Sequence, residues 1–182
     1  GAADGRYADP PQPLVPGATW DYRVRDAQGA PRARTLRVAG EEAGLLVLET
    51  RQDGTVRRSF LHGSPLVLAV REEARGPGGA SIVRFDPGAP RALAPAAVRP
   101  GQVFLHRYFL DDGAAPREVE ARWTVEAVGL TLVGDAGTFE GVVRVRREQS
   151  DGDAARLWYA PGVGLVRARG AEQLELVHWA LP

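Results

Sequence analysis

The chain has 182 residues, 44% hydrophobic and 25% charged, which is enough for a domain with a proper core and excludes a largely disordered protein. Its 23 acidic residues balance 23 basic ones, so no net field draws it to nucleic acid or to an anionic membrane. It contains no cysteine, which excludes disulfides and zinc–thiolate sites.

Every basic residue is arginine. A GC-rich genome accounts for this together with the abundant Ala, Gly and Pro; bidentate anion binding is the competing reading. There is no methionine either, which raises the expectation that a leading piece, a signal peptide or an artificial extension, was removed ahead of Gly1. No run approaches the length of an apolar membrane-spanning helix.

Residues 1–13, with Pro10, Pro11 and Pro13 among small and acidic residues, read as a disordered tether. A single β domain is expected over 14–182. Leu36 and Val38 alternate with Thr35 and Arg37, and Leu46 and Leu48 follow the same rule. The clearest alternation runs from Glu118 to Val128. Val119, Ala121, Trp123, Val125 and Ala127 point to one face and Glu118, Glu120, Arg122, Thr124 and Glu126 to the other, as in an antiparallel sheet with one wet side. Trp123 should therefore be buried and Arg122 exposed.

Asp53-Gly54, Asp112-Gly113 and Asp151-Gly152 each separate two such runs and mark hairpins, and Gln28-Gly29 and Gly76 to Gly79 add two turns. Late in the chain, Arg156 to Arg167 carries an aromatic strand, Ala160-Pro161-Gly162-Val163, and a second apolar strand. Pro161 presets φ and Gly162 supplies positive φ, so a type II turn is predicted, with the sheet ending on this hairpin. The best helix candidate, Pro90 to Val98, is short and broken by Pro95. The expected fold is all-β: an antiparallel meander of roughly ten or more strands, forming a strongly curved sheet or a partly open barrel. The Pro-Gly lead-in of Val15 to Trp20 is echoed by Arg99 to Phe104, which raises the expectation of two similar half-sheets, 14–90 and 94–182, joined by the loop Asp86 to Pro100.

Catalytic chemistry finds little purchase. His62, His106 and His178 lie in separate segments, so no metal site is expected. Ser59, Ser64, Ser81 and Ser150 lack a nucleophile elbow. The acid pairs Glu41-Glu42, Glu72-Glu73 and Asp111-Asp112 read as strand neighbours on opposite faces or as a solvated turn. Ser150 to Asp153 lacks the spacing of a calcium loop and reads as a turn. What remains is aromatic. Trp20, Tyr22, Phe104, Tyr108, Phe109, Trp123, Trp158, Tyr159 and Trp179 lie in strands, either as plain core or as the lining of a concave apolar face.

Pro16 to Tyr22 (Pro-Gly-x-x-Trp-x-Tyr), Ala136 to Glu140 (Ala-Gly-Thr-Phe-Glu) and Trp158 to Val166 (Trp-Tyr-Ala-Pro-Gly-Val-Gly-Leu-Val) occur in that order. Together they resemble a poorly characterised group of bacterial exported proteins, many of them lipoproteins. The resemblance implies an all-β envelope protein, periplasmic or anchored to the outer membrane of a Gram-negative bacterium through a lipidated cysteine upstream of the folded part. Its sheet is distantly similar to the open barrels of lipoprotein carriers, without their covering helices, and the group offers no catalytic residues to transfer.

The expectation is thus a non-enzymatic envelope interaction or assembly module with no cofactor, no nucleic-acid partner and membrane contact only through its anchor. Its partner would be another envelope protein. The alternative is a carrier of a lipid or other apolar ligand, with Trp20, Phe104, Trp123 and Trp158 lining the cavity.

Overall fold

The period-two pattern resolves into thirteen strands, each antiparallel to its neighbours. The computed structural model describes residues 13–62, 68–85, 91–92 and 100–182. In chain order the strands are β1 (Thr19–Arg25), β2 (Pro31–Glu42), β3 (Leu45–Gln52), β4 (Thr55–His62), β5 (Leu68–Gly76) and β6 (Gly79–Phe85). The short β7 (Arg91–Ala92) follows, then β8 (Val103–Asp111), β9 (Arg117–Gly134), β10 (Gly137–Gln149), β11 (Ala154–Ala160), β12 (Gly164–Gly170) and β13 (Gln173–Ala180). The described residues contain no helix.

β1 to β6 pair in succession, as do β8 to β13; β6 pairs with β8 and β13 returns to β1, so twelve strands form a closed antiparallel barrel. β7 pairs with β5 beside this ring. The curved all-β sheet read from the sequence is therefore present and closes completely. One expectation is corrected: the sheet does not end on the Pro161-Gly162 hairpin. β13 follows it and pairs with β1 from Thr19↔Ala180 to Arg25↔Gln173, because a curved meander can offer its first strand as the partner of its last.

The local chemistry agrees with the sequence. Gly162 has φ 70°, and the Val163 N–H donates to Ala160 O at 3.2 Å, closing the turn that Pro161 begins. Asp53-Gly54 joins β3 to β4 with both residues at positive φ, as a two-residue hairpin demands. Asp112-Gly113 and Asp151-Gly152 sit between β8 and β9 and between β10 and β11. Both Pro-Gly lead-ins dock alike. Gly17 N–H donates to Val38 O and Val38 N–H to Ala18 O; Gly101 N–H donates to Val125 O and Val125 N–H to Gln102 O. The helix candidate Pro90 to Val98 and the joining loop Asp86 to Pro100 lie outside the described residues except for β7 and Pro100, as do residues 1–12 of the tether.

β9 buries Val119, Ala121, Trp123 and Val125 and exposes Arg122, as its alternation predicts. The phase then slips, and Leu130 and Leu132 become the inward pair. Gly129 (φ 67°) and Gly141 (φ 68°) sit on facing strands where the β9–β10 register shifts, and this double irregularity turns the outer half of the hairpin over. One hairpin therefore feeds three buried clusters. The first holds Trp20, Tyr22, Leu132, Val142, Val166 and Leu176; the second holds Ala121, Trp123, Val145 and Tyr159; the third holds Leu61, Phe85, Tyr108 and Val119.

The ring is thin at two seams. β12 and β13 pair only at Arg167↔Glu175, Ala168↔Leu174 and Arg169↔Gln173. β6 and β8 pair only at Arg84↔Asp111 and Phe85↔Leu110.

Candidate functional site

The four aromatic residues singled out from the sequence do not share one surface. Trp20 belongs to the first cluster, where Trp158 packs at its margin; Trp123 belongs to the second, where Phe104 is its cross-strand neighbour. Trp20 and Trp123 are 0% and 1% exposed, so these rings interlock with their neighbours. The Trp20 indole Nε1–H donates to Val163 O at 2.7 Å, and the Tyr22 hydroxyl donates to Leu165 O at 2.8 Å. Both acceptors lie at the end of β12 that has parted from β13, so the two side chains stitch the seam from β1. Burial pushes the Tyr159 hydroxyl, on neighbouring β11, up to about 12, with Arg147 opposing weakly.

The groups tested for catalysis are engaged elsewhere or stand apart. His62, His106 and His178 lie on β4, β8 and β13; His106 stacks between Phe104 and Tyr108, and His178 Nδ1 lies 3.5 Å from Asp21. Among the described residues no three His, Cys, Asp or Glu side chains gather as a metal site would require. Glu42 pairs with Arg58, Glu73 with Arg71 at 3.2 Å, and Asp112 with Arg117 at 2.9 Å. The Arg117 hydrogen bond holds the Asp112 carboxyl below the usual range. In the Ser150 to Asp153 turn, Asp153 pairs with Arg147 at 2.7 Å, and the Ser150 hydroxyl accepts from Glu120 N–H at 2.9 Å. Ser64 lies outside the described residues.

The candidate site is the outer face of β8. Along this strand Phe104, His106, Tyr108 and Leu110 turn towards the buried side, while Val103, Leu105, Arg107 and Phe109 face solvent. Leu105 is 59% exposed and Phe109 and Val103 are each 42% exposed, an apolar row that a wet sheet face would normally fill with polar residues. Arg107 interrupts the row, tied to Glu120 at 2.9 Å and Glu118 at 3.6 Å on β9. On its other side β8 is hydrogen-bonded to β6 at Leu110 and Asp111. Sequence reasoning missed this row because both faces of β8 are apolar, so alternation could not tell inside from outside.

No protein-family model matches the chain, and no curated protein does. Among solved structures it is similar to a putative lipoprotein from Parabacteroides distasonis, with 13% identity and a TM-score of 0.50, over 93% of this chain and 98% of that one. The likeness is one of fold.

Proposed function

We propose that this protein is a non-enzymatic module of a bacterial cell envelope that docks an apolar segment of a partner protein against the outer face of β8. The observation that carries the reading is the exposed apolar row of Val103, Leu105 and Phe109 on the outer face of β8. Apolar side chains of a partner would cover the row and remove it from water. Arg107 is already neutralised by Glu118 and Glu120, so the surface favours an apolar segment over a charged one. The shared fold with a chain described as a putative lipoprotein supports placement in the envelope, where export and a lipid anchor upstream of Gly1 would hold the barrel. A lipid carrier fits less well, because Trp20 and Trp123 fill the clusters in which a ligand would have to lie.

The test is photo-crosslinking in the native cell from a reactive side chain at position 105, with the exposed Val133 on the β9–β10 tip as the control position. A discrete adduct from 105 and none from 133, in the envelope fraction, is the expected result. Equal labelling from both positions, or recovery from the cytosolic fraction, overturns the reading.

A further inference from the structure

Four arginines flank β13 in two rows. Cross-strand partners share a face of a sheet, so Arg23, Glu175 and Arg167 stand in one row across β1, β13 and β12. Arg25, Gln173 and Arg169 stand in the next row of the same face, two residues along each strand. The rows differ at the centre, where one has a carboxylate and the other its neutral amide counterpart.

The first row is complete. Glu175 is nearly buried and accepts from Arg167 Nε and Nη2, each at 2.8 Å, while Asp135 at the tip of the β9–β10 hairpin pairs with Arg23. The tip lies over this row. Val133 O accepts from Arg167 Nη2 at 3.2 Å, and Gly134 approaches so closely that a Cβ there would stand 2.7 Å from Glu175 Oε1.

The second row is open and short of negative charge. Arg25 has no ion pair among the described residues, and Gln173 cannot supply one. Arg169 reaches back to Glu175 at 3.3 Å and to the carbonyls of Ala168 and Leu174 at 2.9 and 3.2 Å. Here lies a cavity of about 270 Å3, lined by Arg23, Arg25, Arg169, Gln173 and Glu175.

We propose that this cavity binds a phosphate group, which takes above Gln173 the place that the Glu175 carboxylate holds in the neighbouring row. With Arg23 paired to Asp135 and Glu175 shared by Arg167 and Arg169, the four arginines exceed the two carboxylates by two charges, so a dianion balances the cluster better than a monoanion. The backbones of β1 and β12 stand two strand spacings apart, roughly 9–10 Å. Their arginines therefore reach the ligand from opposite sides. That geometry suits tetrahedral oxygens pointing in several directions, whereas a planar carboxylate is satisfied by a single guanidinium fork. The volume exceeds what a bare phosphate needs and lies near the lower end of small-molecule sites, roughly 300–1,000 Å3. A pyrophosphate or a compact phosphomonoester fits, free in solution or as the headgroup of a lipid. This assignment is independent of the β8 surface.

The test is calorimetric titration of the full chain with pyrophosphate at physiological salt. One saturable site is expected, weakened by about tenfold or more in Gln173→Glu and in Arg25→Gln. Gln173→Glu supplies the missing carboxylate from the protein itself and is nearly isosteric, so the folded barrel, followed by its unfolding midpoint, should survive. Arg37→Gln, an exposed arginine on β2, should bind as the parent does. Sedimentation with phosphatidylcholine vesicles, with and without phosphatidic acid, separates the sources. Binding that needs phosphatidic acid and is lost in Gln173→Glu assigns a lipid headgroup; pyrophosphate binding without vesicle binding assigns a free ligand. Absence of saturable binding in both assays, or binding unchanged in Gln173→Glu, overturns the proposal.

Discussion

The two thin seams of the barrel are closed in opposite ways. Where β12 leaves β13, side chains take over from the backbone: the Trp20 indole and the Tyr22 hydroxyl reach the carbonyls of Val163 and Leu165, and Arg167 clasps Glu175 across the last paired residues. Where β6 meets β8, an edge-to-face contact of Phe85 with Tyr108, centroids 5.8 Å apart, stands beside two residue pairs, and the outer face of β8 carries an exposed apolar row. A closed barrel does not need a full ladder at every seam. A side-chain stitch seals one opening, and the other lies beside an apolar row exposed to solvent.

The comparison can be broken most directly at Trp20. Trp20→Ala should cost about 3–5 kcal/mol, the range for removing a buried large aromatic, as read by denaturant unfolding; a loss under about 1 kcal/mol on that scale would mean that the seam holds without it. Next comes pH. The Tyr159 hydroxyl is raised by burial from 10.0 to about 12, so its proton stabilises the fold fully below pH 10 and that contribution is lost as pH climbs towards 12. The loss amounts to about 3 kcal/mol. Tyr159→Phe should flatten the decline of the unfolding midpoint over that window, and an unchanged alkaline profile would refute the assignment.

A smaller and sharper contrast separates the two buried tryptophans. The Trp20 indole N–H has its acceptor, whereas that of Trp123 is buried with none among the described residues. Tryptophan-to-phenylalanine exchange removes similar volume at either site, but only at Trp20 does it orphan a carbonyl. Trp20→Phe should therefore exceed Trp123→Phe by about 1–3 kcal/mol, and equal losses would dismiss the stitch. The smallest effect is expected on β8. Leu105→Arg should shift stability by no more than about 0.5 kcal/mol while abolishing the crosslinked adduct; a large loss of stability would make Leu105 part of the core.

Much of the architecture was legible because it rests on local chemistry. The Glu118 to Ala127 alternation, the Asp-Gly turns and the Pro161-Gly162 turn each carry their reason within a few residues. The Ala43-Gly44 turn between β2 and β3 was missed, since Ala43 takes φ 49° without the asparagine or aspartate that would advertise it. The phase slip after Gly129 was missed for a related reason. It needs the matching irregularity at Gly141, and neither glycine alone distinguishes a bulge from a weak strand. Trp20 and Trp123 were read rightly as large strand aromatics, but no pattern in the sequence assigns them to different clusters. The arginine rows were the least legible. Arg23 and Arg25 are separated from Arg169 by nearly the whole domain, and arginine is common enough throughout to hide the four that converge.

Closure through β1 and β13 also sets the order in which the chain can mature. During synthesis β1 can pair with β2 at once, but its other edge waits for residues 173–180, the last strand of the barrel. Until then Trp20 and Tyr22 lack both the strand beside them and the carbonyls they will bond, because Val163 and Leu165 are themselves late. The long span between these partners makes closure a non-local, slow event. A nascent or truncated chain ending before β13 would carry an unpaired, aromatic first strand, the sort of edge that chaperones cover and aggregates recruit.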